Sequence, residues 1–446
     1  MSSNTLASSV LPDAADSVRG TAAHTAPDSV RTTPAPAPAA HRVVIVGGGI
    51  CGLAAALAVA AQGHAAVVLE RADRFAEIGA GIQIAPNGIH ALRELGVDAT
   101  TSPITSLMDE LRFMDGVTGE HVASMALTED YQKRFGHPYV VVHRAQLHAE
   151  LLEACRSSNL IELRTDAPVV GYTRAADGDG AAVVLQDGES VSGDAVIGAD
   201  GIHSAIRRQM IGDGDPLVSG ITIYRTTAPM ETVPADLLLP ASVTAWAGPK
   251  WHLVHYPIAG GRLLNLAISR DNGATGRFAG VPVAEDEVLG QFPQACDQVL
   301  RLLRLGRDWK AWMLVDRPPI PRWTDGPVAL LGDAAHPTLH YAAQGACQAI
   351  EDAVLLGRLL GHCPAGAFAD RLAELNQLRR ERTARVHAFA HRTIEVWHPS
   401  GDAARARNRT LSDLTDHDMR EFIGWMHSPQ DESVDEFEFS AASPVK

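Results

Sequence analysis

The chain has 446 residues, 46% hydrophobic and 20% charged, which is enough for large packed cores in about two or three domains. Its formal net charge of −15 argues against binding to nucleic acids or anionic membranes, both of which need a cationic surface. No apolar run approaches the roughly 18 residues of a membrane-spanning helix. Five scattered cysteines without a CxxC pair argue against a disulfide framework or a zinc site and favour a cytoplasmic protein.

The first forty residues are rich in Ser, Thr, Ala and Pro and end in PAPAPAA. They show no apolar periodicity, so residues 1–40 are predicted to be a disordered tail. The basic and apolar regions of a secretory signal are both missing from this segment.

A nucleotide-binding fingerprint follows the tail. A short β-branched run, typical of a buried parallel strand, leads into GGGICG at residues 47–52. Gly47 permits the tight turn, Gly49 lets the backbone approach a pyrophosphate, and Gly52 lets helix and strand pack closely. The N-terminus of the next helix offers unpaired N–H groups and a positive dipole end to the phosphate.

The rest of this unit supports the same interpretation. A small-residue helix ends before Gly63, and a second strand at residues 65–69 leads to Glu70. Glu70 lies 23 residues beyond Gly47 and can accept hydrogen bonds from a ribose diol. The order strand, glycine turn, helix, strand and acidic residue predicts that the chain binds an adenine dinucleotide.

Two later buried strands also end at an aspartate. Segment 183–207 predicts a hairpin that turns at Asp187-Gly188, followed by an apolar strand that leads to Asp200. Segment 328–337, VALLGDAAHP, predicts a strand that leads to Asp333. An acidic residue at the carboxyl end of a parallel strand lies where doubly wound sheets bind ligands. Taken singly, each aspartate is more often a helix cap or a turn former.

The three segments GGGICG, ADGIHSAIR and GDAAHP, together with His143-Arg144, resemble the class A flavoprotein aromatic hydroxylases over roughly residues 41–400. These are single-component FAD monooxygenases with the para-hydroxybenzoate hydroxylase fold. The segments IGAGIQIAPNG, WAGPKWHLVHYP and YAAQGACQAIEDA are most similar to the branch that contains 3-hydroxybenzoate 6-hydroxylases and salicylate hydroxylases.

The resemblance implies an α/β fold: a Rossmann-like FAD-binding domain with a three-layer parallel sheet, a smaller, mostly antiparallel substrate domain, and a C-terminal helical region. The predicted boundaries are a tail at 1–40, the FAD-binding domain at 41–212 and 318–365, the substrate domain at 213–317 and the helical region at 366–446.

The same resemblance implies non-covalent FAD, NADH or NADPH as the reductant, and O₂ as the co-substrate. Consistent with this, no second GxGxxG follows a strand. Arg144 would reach the FAD pyrophosphate, Asp200 the nucleotide part and Asp333 the ribityl chain. Gly345 would begin a helix whose positive end points at the flavin pyrimidine. The predicted cofactor-binding residues are Gly47, Gly49, Gly52, Glu70, Arg71, Arg144, Asp200, Asp333, Gly345 and Ala346.

The strand WHLVHYP is the predicted centre of the substrate side. Strand periodicity puts His252 and Tyr256 on one face, about 13 Å apart, and His255 on the other. The resemblance implies that His252 deprotonates the substrate phenol and that Tyr256 hydrogen-bonds the substrate. The alternative is a histidine and a tyrosine packed on a sheet face with satisfied polar tips.

His340 precedes YAAQGA in a loop expected to face the flavin ring, at a position where the branch favours Gln. It could supply positive charge or a donor to a carboxylate, or be a solvated loop residue. Gln344 is expected to orient the loop, and Tyr224-Arg225 to give structural support. The arginine run from 379 to 385 is expected to form a solvated face.

The resemblance implies hydroxylation of a phenolic aromatic acid through a flavin C4a-hydroperoxide. The first candidate is 3-hydroxybenzoate, giving 2,5-dihydroxybenzoate (gentisate), and the second is salicylate or 6-hydroxynicotinate. An FAD-dependent dehydrogenase or halogenase of related fold and a non-catalytic FAD-binding regulator are the alternatives from other classes. No metal, nucleic acid or strong membrane association is expected, and a homodimer is compatible with the resemblance.

Overall fold

The computed structural model describes residues 41–76, 81–176, 178–361, 363–364 and 366–429, so the predicted tail and the acidic end of the chain lie outside the described residues. Strands within the described residues are β1 (Arg42–Val46), β2 (Ala65–Leu69), β3 (Gly81–Ile84), β4 (Ser106–Leu107), β5 (Glu110–Asp115), β6 (His121–Ala126), β7 (Val140–His143), β8 (Ile161–Arg164), β9 (Val169–Arg174), β10 (Ala181–Leu185), β11 (Ser190–Gly193), β12 (Ala195–Gly198), β13 (Leu217–Pro229), β14 (Ser242–Gly248), β15 (Trp251–Ile258), β16 (Leu263–Asp271), β17 (Ala279–Pro282), β18 (Lys310–Asp316), β19 (Thr324–Asp325) and β20 (Val328–Leu330).

Helices in the same residues are α1 (Ile50–Ala61), α2 (Pro86–Glu94), α3 (Glu129–Phe135), α4 (Arg144–Arg156), α5 (Ala205–Met210), α6 (Glu285–Gly290), α7 (Asp297–Leu303), α8 (Gly345–Leu360), α9 (Phe368–Trp397), α10 (Gly401–Ser412) and α11 (Asp416–His427). Short 3₁₀ turns occur at Met230–Thr232, Gly332–Ala334 and His340–Ala342. No helix in the part of the chain that the structure describes is long and apolar enough to cross a membrane.

A six-stranded sheet in the order β19-β20-β12-β1-β2-β8 carries the predicted fingerprint. Its strands are parallel except for the β19–β20 pair. Alternate residues of β1 face opposite layers: Val43 and Ile45 pack on the helical side with residues of α1, α4 and α8, and Val44 and Val46 pack against the sheet β11-β10-β9. The predicted three-layer arrangement is therefore confirmed.

A second sheet of eight strands, ordered β17-β18-β13-β16-β15-β14-β5-β6, is antiparallel apart from the β14–β5 pair. One face packs on an apolar cluster that includes Trp251, Leu253 and Trp309. Strands β5 and β6 belong to this sheet, although the sequence analysis assigned their segment to the FAD-binding domain. The pairing of β5 with the distant β14 leaves no local signal in the sequence. The division into domains stays a prediction.

The C-terminal helices carry buried charge, and the expected solvated arginine face is wrong for Arg379. This side chain is fully buried, and its guanidinium pairs with Glu351 at 2.8 Å and Asp352 at 2.7 Å on α8. Arg382 also pairs with Glu351 at 3.0 Å, whereas Arg380 is exposed. The carboxylates of Glu351 and Asp352 compensate the positive charges of Arg379 and Arg382. These ion pairs join α9 to α8.

Candidate active site

The glycine turn between β1 and α1 has the close contacts that the fingerprint predicts. Gly47 has φ +104°, and a Cβ on it would lie 2.4 Å from the Ala199 carbonyl oxygen. A Cβ on Gly52 would lie 1.9 Å from the Gly47 carbonyl oxygen. Gly49 is the N-cap of α1 and offers no side-chain cap. The first N–H groups of this twelve-residue helix are thus left for a ligand.

Glu70 closes this turn from the neighbouring strand. Its carboxylate accepts the Gly48 N–H at 2.9 Å through Oε2 and the Ala72 N–H at 2.9 Å through Oε1. Both oxygens keep further lone pairs for a sugar hydroxyl. Arg71 follows at the exposed lip.

The two predicted aspartates follow strands β12 and β20. Asp200 accepts the Ala205 N–H at 2.7 Å through Oδ2, while its Oδ1 is buried without a partner among the described residues. Burial raises the pKa of this carboxyl. Asp333 is exposed within the 3₁₀ turn, and its Oδ1 lies 4.0 Å from where a Cβ on Gly345 would be. Oδ2 of Asp200 thus holds the start of α5, while its Oδ1 and the exposed carboxylate of Asp333 remain for a ligand.

The Asp333 turn is supported from below by Asp352, which the sequence analysis did not identify. The Asp352 carboxylate accepts the Gly332 N–H at 3.0 Å and lies 2.6 Å from His336 Nε2. Burial alone would raise its pKa, but His336 and Arg379 outweigh burial and lower it to about 2. Asp352 therefore remains ionised and holds the turn.

These elements surround a cavity of 2280 Å³, larger than the roughly 300–1,000 Å³ typical of a site for one drug-sized ligand. Every predicted cofactor-binding residue except Gly52 lines it. Of the predicted catalytic residues, Tyr256 and His340 line the cavity and His252 does not. The C-terminal helices also contribute, through Arg392, Trp397, Arg407 and Phe422 among others.

Register explains which sheet residues reach the cavity. Strand pairing aligns Tyr256 with Asn265, and both Arg225 and Val254 with Ala267, so all five share one face. All five line the cavity, and the predicted alternation of the WHLVHYP strand is confirmed. His255 faces the other way and stacks on Trp246 with ring centroids 6.5 Å apart.

Arg225 was expected to be structural, but its guanidinium reaches this cavity. Its Nε is buried, without a hydrogen-bond partner among the described residues, and the guanidinium lies 5.8 Å from the Trp312 ring. Burial lowers the pKa of this arginine, with Tyr256 opposing and Arg144 adding to the shift. A cation enclosed in this way is suited to an anionic ligand group.

Three histidines form a continuous chain that begins at the cavity. His340 Nε2 lies 3.3 Å from His252 Nε2, and His252 Nδ1 lies 3.0 Å from His398 Nε2. His252 is only 1% exposed, while His398 is half-buried. His398 follows α9 directly, 146 residues from His252, so no local pattern in the sequence could join them.

All three rings are held neutral. Burial lowers the pKa of His340 to about 3, with Arg225 and His398 adding to the effect. Burial, then His340 and His398, hold the pKa of His252 well below its usual value. The pKa of His398 falls to about 4 through burial, although Asp271 opposes the shift.

We expect these shifts to make the protein less stable as pH falls from about 6.5 to 4.5. The unfolded chain protonates these rings near pH 6.5 whereas the folded protein does not, so acid favours unfolding. Denaturant titrations across this range measure the free energy of unfolding. A His398→Gln variant should show a shallower pH dependence than the unchanged protein, and identical slopes would contradict the assigned shift.

Asp333 provides a direct test of the cofactor side. A carboxylate hydrogen bond to a sugar hydroxyl contributes about 1.5–3 kcal/mol, so Asp333→Ala should weaken retention of bound dinucleotide by roughly 10- to 150-fold. Equilibrium dialysis followed by absorbance measures the retained fraction. Asp286→Ala, at an exposed position on α6 outside the cavity lining, is the matched control. Equal retention by both variants would remove Asp333 from the site.

Known proteins match this chain over most of its length. A family model described as an FAD binding domain matches residues 40–221 and 278–393. The 3-hydroxybenzoate 6-hydroxylase 1 of Aquipseudomonas alcaligenes is 43% identical over 391 residues, covering 87% of this chain and 98% of the relative. A 3-hydroxybenzoate 6-hydroxylase of Klebsiella oxytoca is 37% identical, covering 86% of this chain and 96% of the relative.

Solved structures share the fold. HpxO of Klebsiella pneumoniae, in complex with FAD and uric acid, superposes with a TM-score of 0.76 at 24% identity and covers 88% of this chain and 99% of that one. A salicylate hydroxylase substrate complex superposes with a TM-score of 0.74 at 23% identity, covering 88% and 96%. These likenesses support the arrangement of sheets and helices around the cavity.

Proposed function

The chain belongs to the FAD-dependent aromatic-ring hydroxylases that carry this FAD binding domain, and on that premise we propose that it hydroxylates a phenolic aromatic acid. The first candidate reaction converts 3-hydroxybenzoate into 2,5-dihydroxybenzoate with NADH and O₂. Two relatives named 3-hydroxybenzoate 6-hydroxylase, at 43% and 37% identity, support this choice.

The described residues fit FAD. The glycine turn leaves no room for a Cβ beside the start of α1, and the buried Oδ1 of Asp200 lacks a partner. We assign the pyrophosphate to the N-terminus of α1 and Arg144, a ribose to Glu70 and the ribityl chain to Asp333. When bound, FAD supplies hydride acceptance and oxygen activation, while the chain supplies binding, orientation and proton transfer.

Buried polar atoms without hydrogen-bond partners support an aromatic acid as the class of substrate. Arg225 Nε, Asn265 Nδ2 and His340 Nδ1 are all unpaired among the described residues, and all three residues line the cavity. An unpaired buried polar atom is costly, so a ligand that pairs with it gains affinity. Arginine and amide donors suit a carboxylate, and a neutral imidazole suits a phenol.

His340 is the group that we assign to deprotonate the phenol, with His252 behind it. One arrangement of protons satisfies both ring contacts with three neutral rings: His340 donates from Nε2, His252 donates from Nδ1, and His340 Nδ1 is left as an acceptor. A proton taken at His340 Nδ1 can then pass through His252 to His398. This removes charge from a site where burial disfavours an imidazolium ion.

Tyr256 is assigned to orient the ring rather than to exchange a proton. Burial raises the pKa of its phenol to about 12, although Arg225 and a hydrogen bond from Gln83 oppose the shift. The hydroxyl therefore stays protonated and can donate a hydrogen bond to the substrate. A Cβ on Gly81 would lie 2.5 Å from the Tyr256 ring, so the backbone fixes this ring from behind.

A substrate panel tests the proposal. The purified, FAD-loaded chain is supplied with NADH and, in turn, 3-hydroxybenzoate, salicylate, 6-hydroxynicotinate and 3-methylphenol, and the products are identified. We expect coupled turnover to be greatest with 3-hydroxybenzoate and poor with 3-methylphenol, which lacks the carboxylate. Greater coupling with either of the other acids would change the substrate but keep the reaction class. NADH oxidation without a hydroxylated product from any acid would contradict the proposal.

Substrate should also control the reductive half-reaction. The sequence contains no second nucleotide fingerprint, so we expect NADH to bind transiently rather than in a domain of its own. Stopped-flow absorbance should show slow NADH oxidation without an aromatic acid and much faster oxidation with 3-hydroxybenzoate. Equal rates would rule out this control.

The cytoplasmic location and the homodimer remain predictions.

A further inference from the structure

A cluster of two histidines and one aspartate lies outside the cavity lining, where α9 packs near the end of β18. Asp316 is the last residue of β18, and His387 and His391 are four residues apart on one face of α9. His387 Nε2 lies 3.1 Å and 3.2 Å from the two carboxylate oxygens of Asp316. His391 Nε2 lies 2.7 Å from Asp316 Oδ2.

We propose that Asp316, His387 and His391 bind a divalent transition-metal cation such as Zn²⁺. One ligand atom from each residue lies within 4.8 Å of the others. Two imidazoles with one carboxylate form a donor set that suits Zn²⁺, Co²⁺ and Ni²⁺, and Mg²⁺ or Ca²⁺ would prefer oxygen ligands.

The distances between the ligand atoms fit such an ion after a small movement of the side chains. Ligand atoms about 2.0–2.2 Å from zinc lie roughly 3.3–3.5 Å apart in a tetrahedral site, compared with 2.7–3.2 Å between these nitrogen and oxygen atoms. A shift of a few tenths of an ångström outward makes room for the cation. Side-chain rotation can supply this, because the His391 side chain is 44% exposed.

The local charges also favour a cation. The Asp316 carboxylate supplies the negative charge of the cluster. Arg317 is next in sequence, but its guanidinium is turned towards Asp213, at 2.9 Å, and the Ile202 and Gly214 carbonyls. The exposed side of His391 leaves access for the ion and for a water molecule as a fourth ligand.

A cation here would fasten α9 to the end of β18. The opposite face of α9, through Phe389, Thr393 and Val396, lines the cavity. Without a cation, the carboxylate contacts to the two rings join the same elements less firmly. Binding should therefore raise thermal stability in proportion to the concentration of free cation.

The test uses the full-length, FAD-loaded protein without a polyhistidine tag, stripped of metal by a chelator. Titration with Co²⁺ followed by visible absorption, and with Zn²⁺ by calorimetry, should each give one site per chain. Zn²⁺ should raise the melting temperature, while the same concentration of Mg²⁺ should not. Loss of an outer-shell partner alone costs about 10–100-fold in metal affinity. Because His387 and His391 would be direct ligands, His387→Ala and His391→Ala should each lower the affinity for Co²⁺ and Zn²⁺ by at least about tenfold.

His417→Ala is the matched control, because His417 is exposed on α11 outside the cluster. It should bind Co²⁺ and Zn²⁺ as the unchanged protein does. His391→Ala removes an exposed side chain, so the variant is expected to fold, and its melting temperature without metal checks this. Absence of binding to the unchanged protein, or equal binding by all variants, would overturn the proposal and leave the cluster as a metal-free link between helix and sheet.

Discussion

Replacing His340 with alanine should lower the yield of hydroxylated product by about 10²–10⁴-fold while FAD stays bound. The imidazole lines the cavity, and its Nδ1 has no partner among the described residues, so it is free to act as the base for a phenol. Without that base the ring is not activated. NADH oxidation should continue, and the reduced oxygen should leave as hydrogen peroxide. Product per NADH, with peroxide measured alongside, reports this uncoupling.

Two further variants separate His340 from its neighbours. His340→Gln keeps a polar side chain but cannot take up a proton, so it should be uncoupled like the alanine variant. His203→Ala is the control, because His203 is exposed and also lines the cavity. Full coupling in His340→Gln would transfer the base to His252, the residue that the sequence analysis favoured.

Replacing Arg225 with methionine should raise the KM for aromatic acids by roughly 10- to 150-fold, the equivalent of about 1.5–3 kcal/mol for a hydrogen bond to a charged group. The change should leave the KM for 3-methylphenol nearly unaffected, because that phenol has no carboxylate. Steady-state kinetics with both compounds give the ratio that decides the role of Arg225.

Stability offers a second signature for Arg225. Its charge is partly buried and has no acidic partner among the described residues, so Arg225→Met should raise the melting temperature of the substrate-free protein. Arg225→Lys keeps the charge but loses the planar pair of donors, and we expect it to bind acids with intermediate affinity. A methionine variant that is less stable and shows an unchanged preference for acids would make Arg225 a structural residue.

The nucleotide side was predictable because its determinants are local. Gly47, Gly49 and Gly52 belong to one turn, and the steric reasons for glycine there follow from a single strand-turn-helix unit. Alternation along β15 likewise follows from strand geometry and places Tyr256 on the cavity face. These predictions needed no knowledge of which distant segments meet.

The rest of the site depends on contacts between distant segments. His398 completes the histidine chain from the end of α9, and Arg379 becomes buried because Glu351 and Asp352 approach from α8. The position of His252 behind His340 depends on how the loop at 340–342 folds over the sheet. Residue type and spacing carry no information on contacts between distant segments. The order seen in the structure, with His340 at the cavity and His252 behind it, could therefore not be obtained from periodicity.

Isotope labelling of molecular oxygen tests directly whether the protein is a hydroxylase. The FAD-loaded protein is given NADH and 3-hydroxybenzoate under ¹⁸O₂, and the aromatic product is analysed by mass spectrometry. We predict 2,5-dihydroxybenzoate with one heavy oxygen atom in the new hydroxyl group, formed in near-equal amount to the NADH consumed. An aromatic product whose new oxygen comes from water, or no hydroxylated product while NADH is oxidised, would contradict the assignment as a hydroxylase of this substrate.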